Sequence, residues 1–353
     1  MTDVDGLEEA GGGTAAEMAA RGNTMLQMIT GYWVTQILRA AADLSVTDHV
    51  ADGAATAEEV AARARADPST TYRLMRACVS IGVLEYEAGR FSVTPLGTLL
   101  RAGVPGSLRE MALVQGAPGH WTPWMLLPEA VRAGRSQANV ALGTAEGTSS
   151  FDYFALHPEE GRLFAESMAN VTAMVIEDVI AVVNLAGVSV AVDVGGAHGE
   201  LVHALMQAAP GLKGVVLDRP EVVPGAVRAA ETAGVADRFS VVSGDFFAEV
   251  AEADLYLLKM ILHDWDDDAC RTILRNCRAS ARPGARALVV ESVVGDLRGP
   301  SFAAILDMNM LATTLGQERE LGEFDALYTA TGWRRTGFYP TRAMHSIQEL
   351  EAV

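Results

Sequence analysis

The sequence predicts two domains: a small helical one with a winged-helix plan, then a doubly wound α/β domain on a mostly parallel sheet. Three helical patterns followed by a tight hairpin point to the first. After Gly187, short β-rich runs alternate with helical stretches, the pattern of strands joined by crossover helices. A length of 353 residues suits about two domains at roughly 150 residues each.

Residues 1–20 are acidic and rich in Gly and Ala, and read as a mobile tail. From Met25 to Ala42, apolar residues recur at helical spacing (Met25, Met28, Ile29, Trp33, Ile37, Leu38). Thr56-Ala57-Glu58-Glu59 is a capping-box start, with Thr56 at the N-cap and Glu59 reaching back. Asp67-Pro68 opens the next helix, because proline at the first position lacks only an N–H that would be unpaired anyway. Val83–Tyr86 and Arg90–Val93 flank Glu87-Ala88-Gly89 as a short hairpin. The predicted divisions are a tail 1–20, a winged-helix-like domain 21–105, a helical linker 106–180 and an α/β domain 181–353.

A winged helix invites a DNA-binding reading, but the charge argues against it. There are 27 Lys plus Arg against 45 Asp plus Glu, a formal net charge of −18. Such a chain repels a phosphate backbone. The helix that would read DNA offers only Arg73 and Arg76, so dimerisation or lid formation is the expected role. The longest apolar region, Val179 to Val194, is broken by Asn184, Ser189 and Asp193 and is too short to span a membrane. The first residues lack an export signal, and three scattered cysteines (Cys78, Cys270, Cys277) make no disulfide framework or zinc site. A cytoplasmic protein is expected.

Residues 95–180 gather Trp121, Trp124, Phe151, Tyr153, Phe154 and Phe164 on mostly helical sequence. They suit either the wall of an apolar pocket or an ordinary inter-domain core. The strands expected beyond are Val188–Val194, Gly214–Leu217, Phe239–Ser243, Asp254–Met260 and Ala287–Val290, with ligands at their carboxyl ends.

Asp193-Val194 runs into Gly195-Gly196-Ala197-His198-Gly199, a turn that lets backbone approach a ligand at a helix N-terminus. Asp218 ends the second strand, where a carboxylate can accept from ribose hydroxyls. The turn lacks the G-x-G-x-x-G spacing that a dinucleotide pyrophosphate needs, and Glu200 would sit poorly beside a phosphate. Gly244-Asp245-Phe246-Phe247 after the third strand suits the amino group and face of an adenine. Acids at two consecutive strand ends favour S-adenosylmethionine over NAD. His263 ends the fourth strand between Met260-Ile261-Leu262 and Trp265, where this fold presents ligands.

With these pieces in place, the chain resembles the small-molecule O-methyltransferase family that includes plant caffeate and bacterial polyketide O-methyltransferases. The matching segments are Val192–Gly196, Leu217–Pro220, Gly244–Phe247, Leu258-Lys259 through His263-Asp264-Trp265, Val290-Glu291 and Gly316–Arg319, in family order from about residue 25 onward. The resemblance implies a Rossmann-like class I methyltransferase domain and a homodimer formed through the N-terminal domain, with Met25–Leu38 in its interface. It implies a catalytic set of His263 as general base with Glu291 and Glu318 beside it. The candidate cofactor set is Asp193, Gly195, Gly196, Asp218, Arg219, Gly244, Asp245, Phe246 and Lys259. The candidate acceptor set is Phe164, Met168, Met260, Asp264, Trp265, Met308 and Asn309. One departure is Ala197, where the family usually has a third glycine; of the two readings of the following His198, cofactor contact or solvent exposure, the second is expected.

The chemistry agrees. A phenol with pKa about 10 is mostly protonated at neutral pH, and a neutral imidazole can take its proton as the oxygen attacks a sulfonium methyl. A carboxylate on the other ring nitrogen fixes the tautomer. No metal is required, because the acids Asp264 and Asp266 to Asp268 suit a helix N-terminus. The expected function is methyl transfer from S-adenosylmethionine to a phenolic hydroxyl of a secondary metabolite. Carbon or nitrogen methylation, or non-methylating chemistry such as hydroxylation or decarboxylation, is the alternative within enzymes. A metabolite-sensing DNA-binding regulator is the alternative outside them.

Overall fold

A computed structural model of the chain describes residues 14–145, 150–296 and 298–353. It separates into two compact units at Leu100/Arg101.

In the first unit, the tail expected over 1–20 falls partly on residues 1–13, outside the described residues. From Ala15 onward the chain is already helical, with Thr14 and Glu17 forming a capping box. The single helix expected over Met25–Ala42 is two, Ala15–Ile29 and Gly31–Asp43. Thr30 separates them: its hydroxyl donates back to the Leu26 carbonyl, and its own N–H closes onto the same oxygen. A further short helix, Val46–Ala51, follows Ser45, which sits in the left-handed region. Helices Ala57–Ala64 and Pro68–Ser80 start as the sequence predicts: Thr56 and Glu59 exchange backbone bonds, and Asp67 accepts from the Thr70 N–H at 2.9 Å. Strands β1 (Leu84–Glu87) and β2 (Arg90–Val93) pair antiparallel. Their loop places both Ala88 and Gly89 at positive φ, the twist that a two-residue hairpin favours. Met25, Leu26, Met28, Ile29, Tyr32, Trp33 and Val34 all lie exposed on this unit.

Among the described residues, the second unit opens with seven helices between Arg109 and Val182 and continues into a seven-stranded sheet. Its strands are β3 (Val190–Val194), β4 (Lys213–Asp218), β5 (Phe239–Ser243), β6 (Ala253–Lys259), β7 (Ala281–Glu291), β10 (Trp333–Pro340) and β11 (Ser346–Ala352); the short pair β8 (Val293–Val294) and β9 (Arg319–Glu320) lies apart. The order is β10-β11-β7-β6-β3-β4-β5, parallel from β7 to β5, with β11 antiparallel to its neighbours. The five expected strands are present, β7 beginning well before Ala287. The antiparallel edge of β10 and β11 has no counterpart in the sequence reading.

Both faces of the sheet are covered. Along β6, Tyr256 and Leu258 join one core with Trp333, Phe324 and Ile273, while Leu255 and Leu257 join the other with Leu205, Met206 and Val290. A strand apolar on both faces reads as a continuous run, as this one does. The chain leaves β3 toward β4 and β5 and returns to β6 on the other side. The strand order therefore reverses between β3 and β6, which is where a crevice opens at the carboxyl ends. Gly195 follows β3 at that point, and Met260 to Trp265 follow β6. Among the described residues no helix is long and apolar enough to cross a membrane.

Candidate active site

Strand β6 ends abruptly because Met260 adopts φ +53°, an unusual backbone for a non-glycine residue, with its N–H bonded to the Val290 carbonyl. That bend feeds a single 3₁₀ turn, Leu262–Asp264. Glu291, fully buried at the end of the adjacent β7, holds the turn: one carboxylate oxygen accepts from the Ile261 and Leu262 N–H groups at 3.0 and 2.8 Å. His263 is thereby presented inward and is 3% exposed. Its Nδ1 lies 2.7 Å from Glu318 Oε1, 3.8 Å from Glu291 Oε2, and its Nε2 lies 3.7 Å from Asp264 Oδ1. The two glutamates therefore have different parts. Glu318 bonds the imidazole, and Glu291 bonds the backbone that carries it.

Burial by itself would lower the His263 pKa, but the facing carboxylates of Glu291, Asp264 and Glu318 outweigh it and push it up to about 10. Burial lifts Asp264 to about 6 and Glu291 to about 7. Candidate ligand atoms of His263, Glu291 and Glu318 lie within 4.8 Å of one another, a spacing that a metal could also use. The 2.7 Å Nδ1···Oε1 approach is that of a shared proton. Two ligands of one ion about 2.0–2.2 Å from each would stand farther apart.

Across the crevice, the turn after β3 holds tightly packed glycines and acids. Gly195 (φ +65°) donates to the Leu217 carbonyl; a side chain there would strike Ile261, 2.6 Å from a Cβ. Ala197 also lies in the left-handed region (φ +51°), where the missing glycine would be at ease. Asp218 holds it: one carboxylate oxygen accepts from the Ala197 N–H at 2.8 Å, the other from the Arg219 N–H at 2.7 Å. The guanidinium of Arg219 turns instead to Glu221 (2.7 Å) and Asp152 (3.7 Å). Gly244 donates to the Asp218 carbonyl, Asp245 accepts from the Phe247 N–H, and Phe246 lies beside Gly195. His198 does not face open solvent as expected. Its ring is half-buried against Gly225, where an added Cβ would stand 2.5 Å away.

Three acids line this turn. Burial raises Asp218 and Glu200 and lifts Asp193 to about 7. One Asp193 oxygen is buried with no hydrogen-bond partner. The buried cation Lys259 is lowered by desolvation, against the pull of Glu291, Asp193, Glu200 and Asp264. Such a wall wants positive charge and hydrogen-bond donors, which the sulfonium, ammonium and ribose of S-adenosylmethionine supply. Gly196 keeps the wall open, since a Cβ there would meet the Asp193 carboxyl at 2.5 Å.

Beside the histidine turn, aromatic rings cluster around Trp265. Trp265 and Phe151 lie nearly parallel at 6.2 Å, Phe164 meets Phe151 edge-on and stacks on Phe154 at 4.9 Å, and His120 packs against both Phe154 and Phe164 at 5.6 and 5.7 Å. Asn309, from helix Phe302–Thr313, accepts from Trp124 Nε1 at 3.0 Å. Met308 shares that helix, and Met168 lies on helix Pro158–Ala173 with Phe164; both are half-buried. The sequence reading missed Asp307, which accepts from the Glu318 N–H at 2.9 Å, and the roles of Gly316 and Arg319. It also missed His120, buried with its Nδ1 unpartnered, because a lone histidine among aromatics carries no motif.

The same chain order is found in a known family. A family model for the O-methyltransferase domain matches residues 124–334, and one for the O-methyltransferase dimerisation domain matches residues 26–103. The chain belongs to the O-methyltransferase family. It is 39% identical to phenazine O-methyltransferase PhzM of Lysobacter antibioticus over 93% of this chain and 96% of that one. A crystal structure of human N-acetylserotonin methyltransferase in complex with S-adenosylmethionine superposes with TM-score 0.87 at 30% identity, covering 96% of this chain and 99% of that one. The O-methyltransferase NcsB1 from neocarzinostatin biosynthesis, solved with S-adenosylmethionine and 2-hydroxy-5-methyl naphthoic acid, gives 0.75 at 31% identity over 91% and 96% of the two chains. The cofactor of this methyltransferase family is S-adenosylmethionine, in keeping with the acid-lined turn.

Proposed function

We propose that this methyltransferase transfers a methyl group from S-adenosylmethionine to a phenolic hydroxyl of an aromatic secondary metabolite, with His263 as general base. The single observation that carries the reading is the 2.7 Å bond from His263 Nδ1 to buried Glu318. In the neutral imidazole, Nδ1–H donates to that carboxylate, and Nε2 keeps its lone pair for the acceptor's proton. The Glu318 carboxylate so placed stabilises the imidazolium that forms as the phenolic oxygen attacks.

Bound S-adenosylmethionine supplies an electrophilic methyl on a sulfonium. Asp218 and Asp245 would hold ribose and adenine, Phe246 would face the adenine ring, and the unpartnered oxygen of Asp193 would meet the cationic end. Gly195 and Gly196 keep side chains out of the way. Trp265, Phe151, Phe164 and Met260 would flank a flat acceptor, with Met168, Met308 and Asn309 farther along the same wall. The names of PhzM and of the NcsB1 complex, a phenazine and a naphthoic acid, support an aromatic acceptor. The exposed Met25–Val34 stripe and the dimerisation-domain match support a homodimer.

The test is mass analysis of products from a panel of aromatic acceptors with free or blocked hydroxyls. Gain of one methyl on oxygen, only where a hydroxyl is free, is expected, and His263→Ala should slow it by about 10²–10⁴-fold. Methylation at carbon or nitrogen, or full turnover by the alanine variant, would overturn the reading.

A further inference from the structure

We propose that Arg319 is a positioning residue that locks the His263 turn to the loop bearing Glu318. The inference rests on the reading of His263 as base. Arg319 adjoins Glu318 in sequence, and although charged it is 0% exposed. A buried guanidinium must place its donors well, and this one does. One terminal nitrogen donates to the Leu262 carbonyl at 2.9 Å, and the other to the Trp265 carbonyl at 2.8 Å. These carbonyls flank His263 and Asp264. Nε and the second terminal nitrogen also share Asp267 Oδ1, at 3.0 and 2.9 Å, at the start of helix Asp267–Ala279.

The clamp completes a frame. Glu291 takes the N–H groups on one side of the turn, and Arg319 takes the carbonyls on the other. Gly316 lets the Glu318 loop lie flat on the turn, since a Cβ there would stand 2.1 Å from the His263 carbonyl oxygen. Asp307 fixes the backbone of Glu318. No donor of Arg319 reaches the imidazole or the crevice in these contacts. It acts through His263, setting the distance between that ring and the neighbouring carboxylate.

The test is Arg319→Lys, which keeps the charge but loses the planar fork. Affinity for S-adenosylhomocysteine by calorimetry should stay within about twofold. The kcat should fall by about ten- to a hundredfold, the cost of a small misplacement of a reacting group, with acceptor KM little changed. The ascending limb of the pH–rate profile should move to lower pH as His263 loosens from Glu318. In a His263→Ala background the lysine substitution should slow the residual rate no further, because the two act as one unit. An additive loss in that background, or unchanged kcat in a folded Arg319→Lys protein, overturns the proposal. Full activity of His263→Ala alone overturns instead the base reading beneath it. Should Arg319→Lys not fold, Asp267→Asn weakens the same clamp from its half-exposed end. A smaller kcat-selective loss supports the proposal there, and an unchanged kcat overturns it.

Discussion

Glu318 Oε1 approaches His263 Nδ1 to 2.7 Å, whereas the nearer Glu291 oxygen stops at 3.8 Å and its other oxygen is spent on backbone N–H groups. The carboxylates around the imidazole raise its pKa to about 10, so the empty enzyme keeps that proton into the alkaline range. Rates per unit of acceptor are therefore expected to climb with pH well above 7. Glu318→Gln removes one of the raising charges, so the climb should begin at lower pH. Loss of a charge-assisted bond worth about 1.5–3 kcal/mol should also slow turnover by about ten- to a hundredfold. A pH–rate profile of both proteins checks the sign; a limb moving upward would contradict it.

Gly316 has no room for a side chain, since a Cβ would lie 2.1 Å from the His263 carbonyl oxygen and 2.3 Å from the Trp265 nitrogen. These are backbone atoms, which cannot swing aside. Gly316→Ala should cost about 1–3 kcal/mol of stability and lower kcat together. Thermal melting and steady-state rates would detect it, and an alanine variant as stable and active as the parent would refute the close approach.

Ala197 is held at φ +51° by the bond from its N–H to Asp218. An alanine in that region is strained by about 1–2 kcal/mol relative to its usual backbone. Ala197→Gly should thus raise the melting temperature slightly, offset in part by the freedom glycine gains in the unfolded chain. Asp218→Ala should do the opposite and weaken S-adenosylhomocysteine binding at least tenfold by calorimetry.

Asp193 is lifted to about 7 by burial, so below that pH it is mostly protonated in the free enzyme. A cationic ligand favours its ionised form, so binding S-adenosylmethionine should release a proton and tighten as pH rises through about 7. Titrations in buffers of different ionisation enthalpy measure that release. Asp193→Asn should abolish this dependence.

The stripe Met25, Leu26, Met28, Ile29, Trp33 is exposed on the first unit, a patch that a soluble monomer rarely tolerates. Ile29→Glu with Trp33→Glu should convert a dimer to a monomer by light scattering. An unaltered mass would move the interface elsewhere.

Much of this chain is legible in its sequence. The capping box at Thr56, the Asp67-Pro68 start and the hairpin around Ala88-Gly89 are local devices, set by neighbours a few residues away. The alternation after Gly187 named the parallel strands, and the motif pieces named His263, Glu291 and Glu318. The antiparallel β10 and β11 were not legible: β11 pairs with β7, far back in the chain, and β10 pairs with β11 alone.

What the sequence alone determined is the order of elements and the chemical types at the strand ends. The tertiary structure decided the division of labour: which glutamate bonds the imidazole, that Arg219 points to Glu221 and Asp152, that His198 is tucked against Gly225, and that Arg319 is buried rather than solvated. The physical reason is distance. Residues 262, 265, 267, 291, 307, 318 and 319 form one linked set of contacts that holds His263, some directly and some through a neighbour, yet they stand up to dozens of positions apart, and only the folding of the chain brings their donors and acceptors into register.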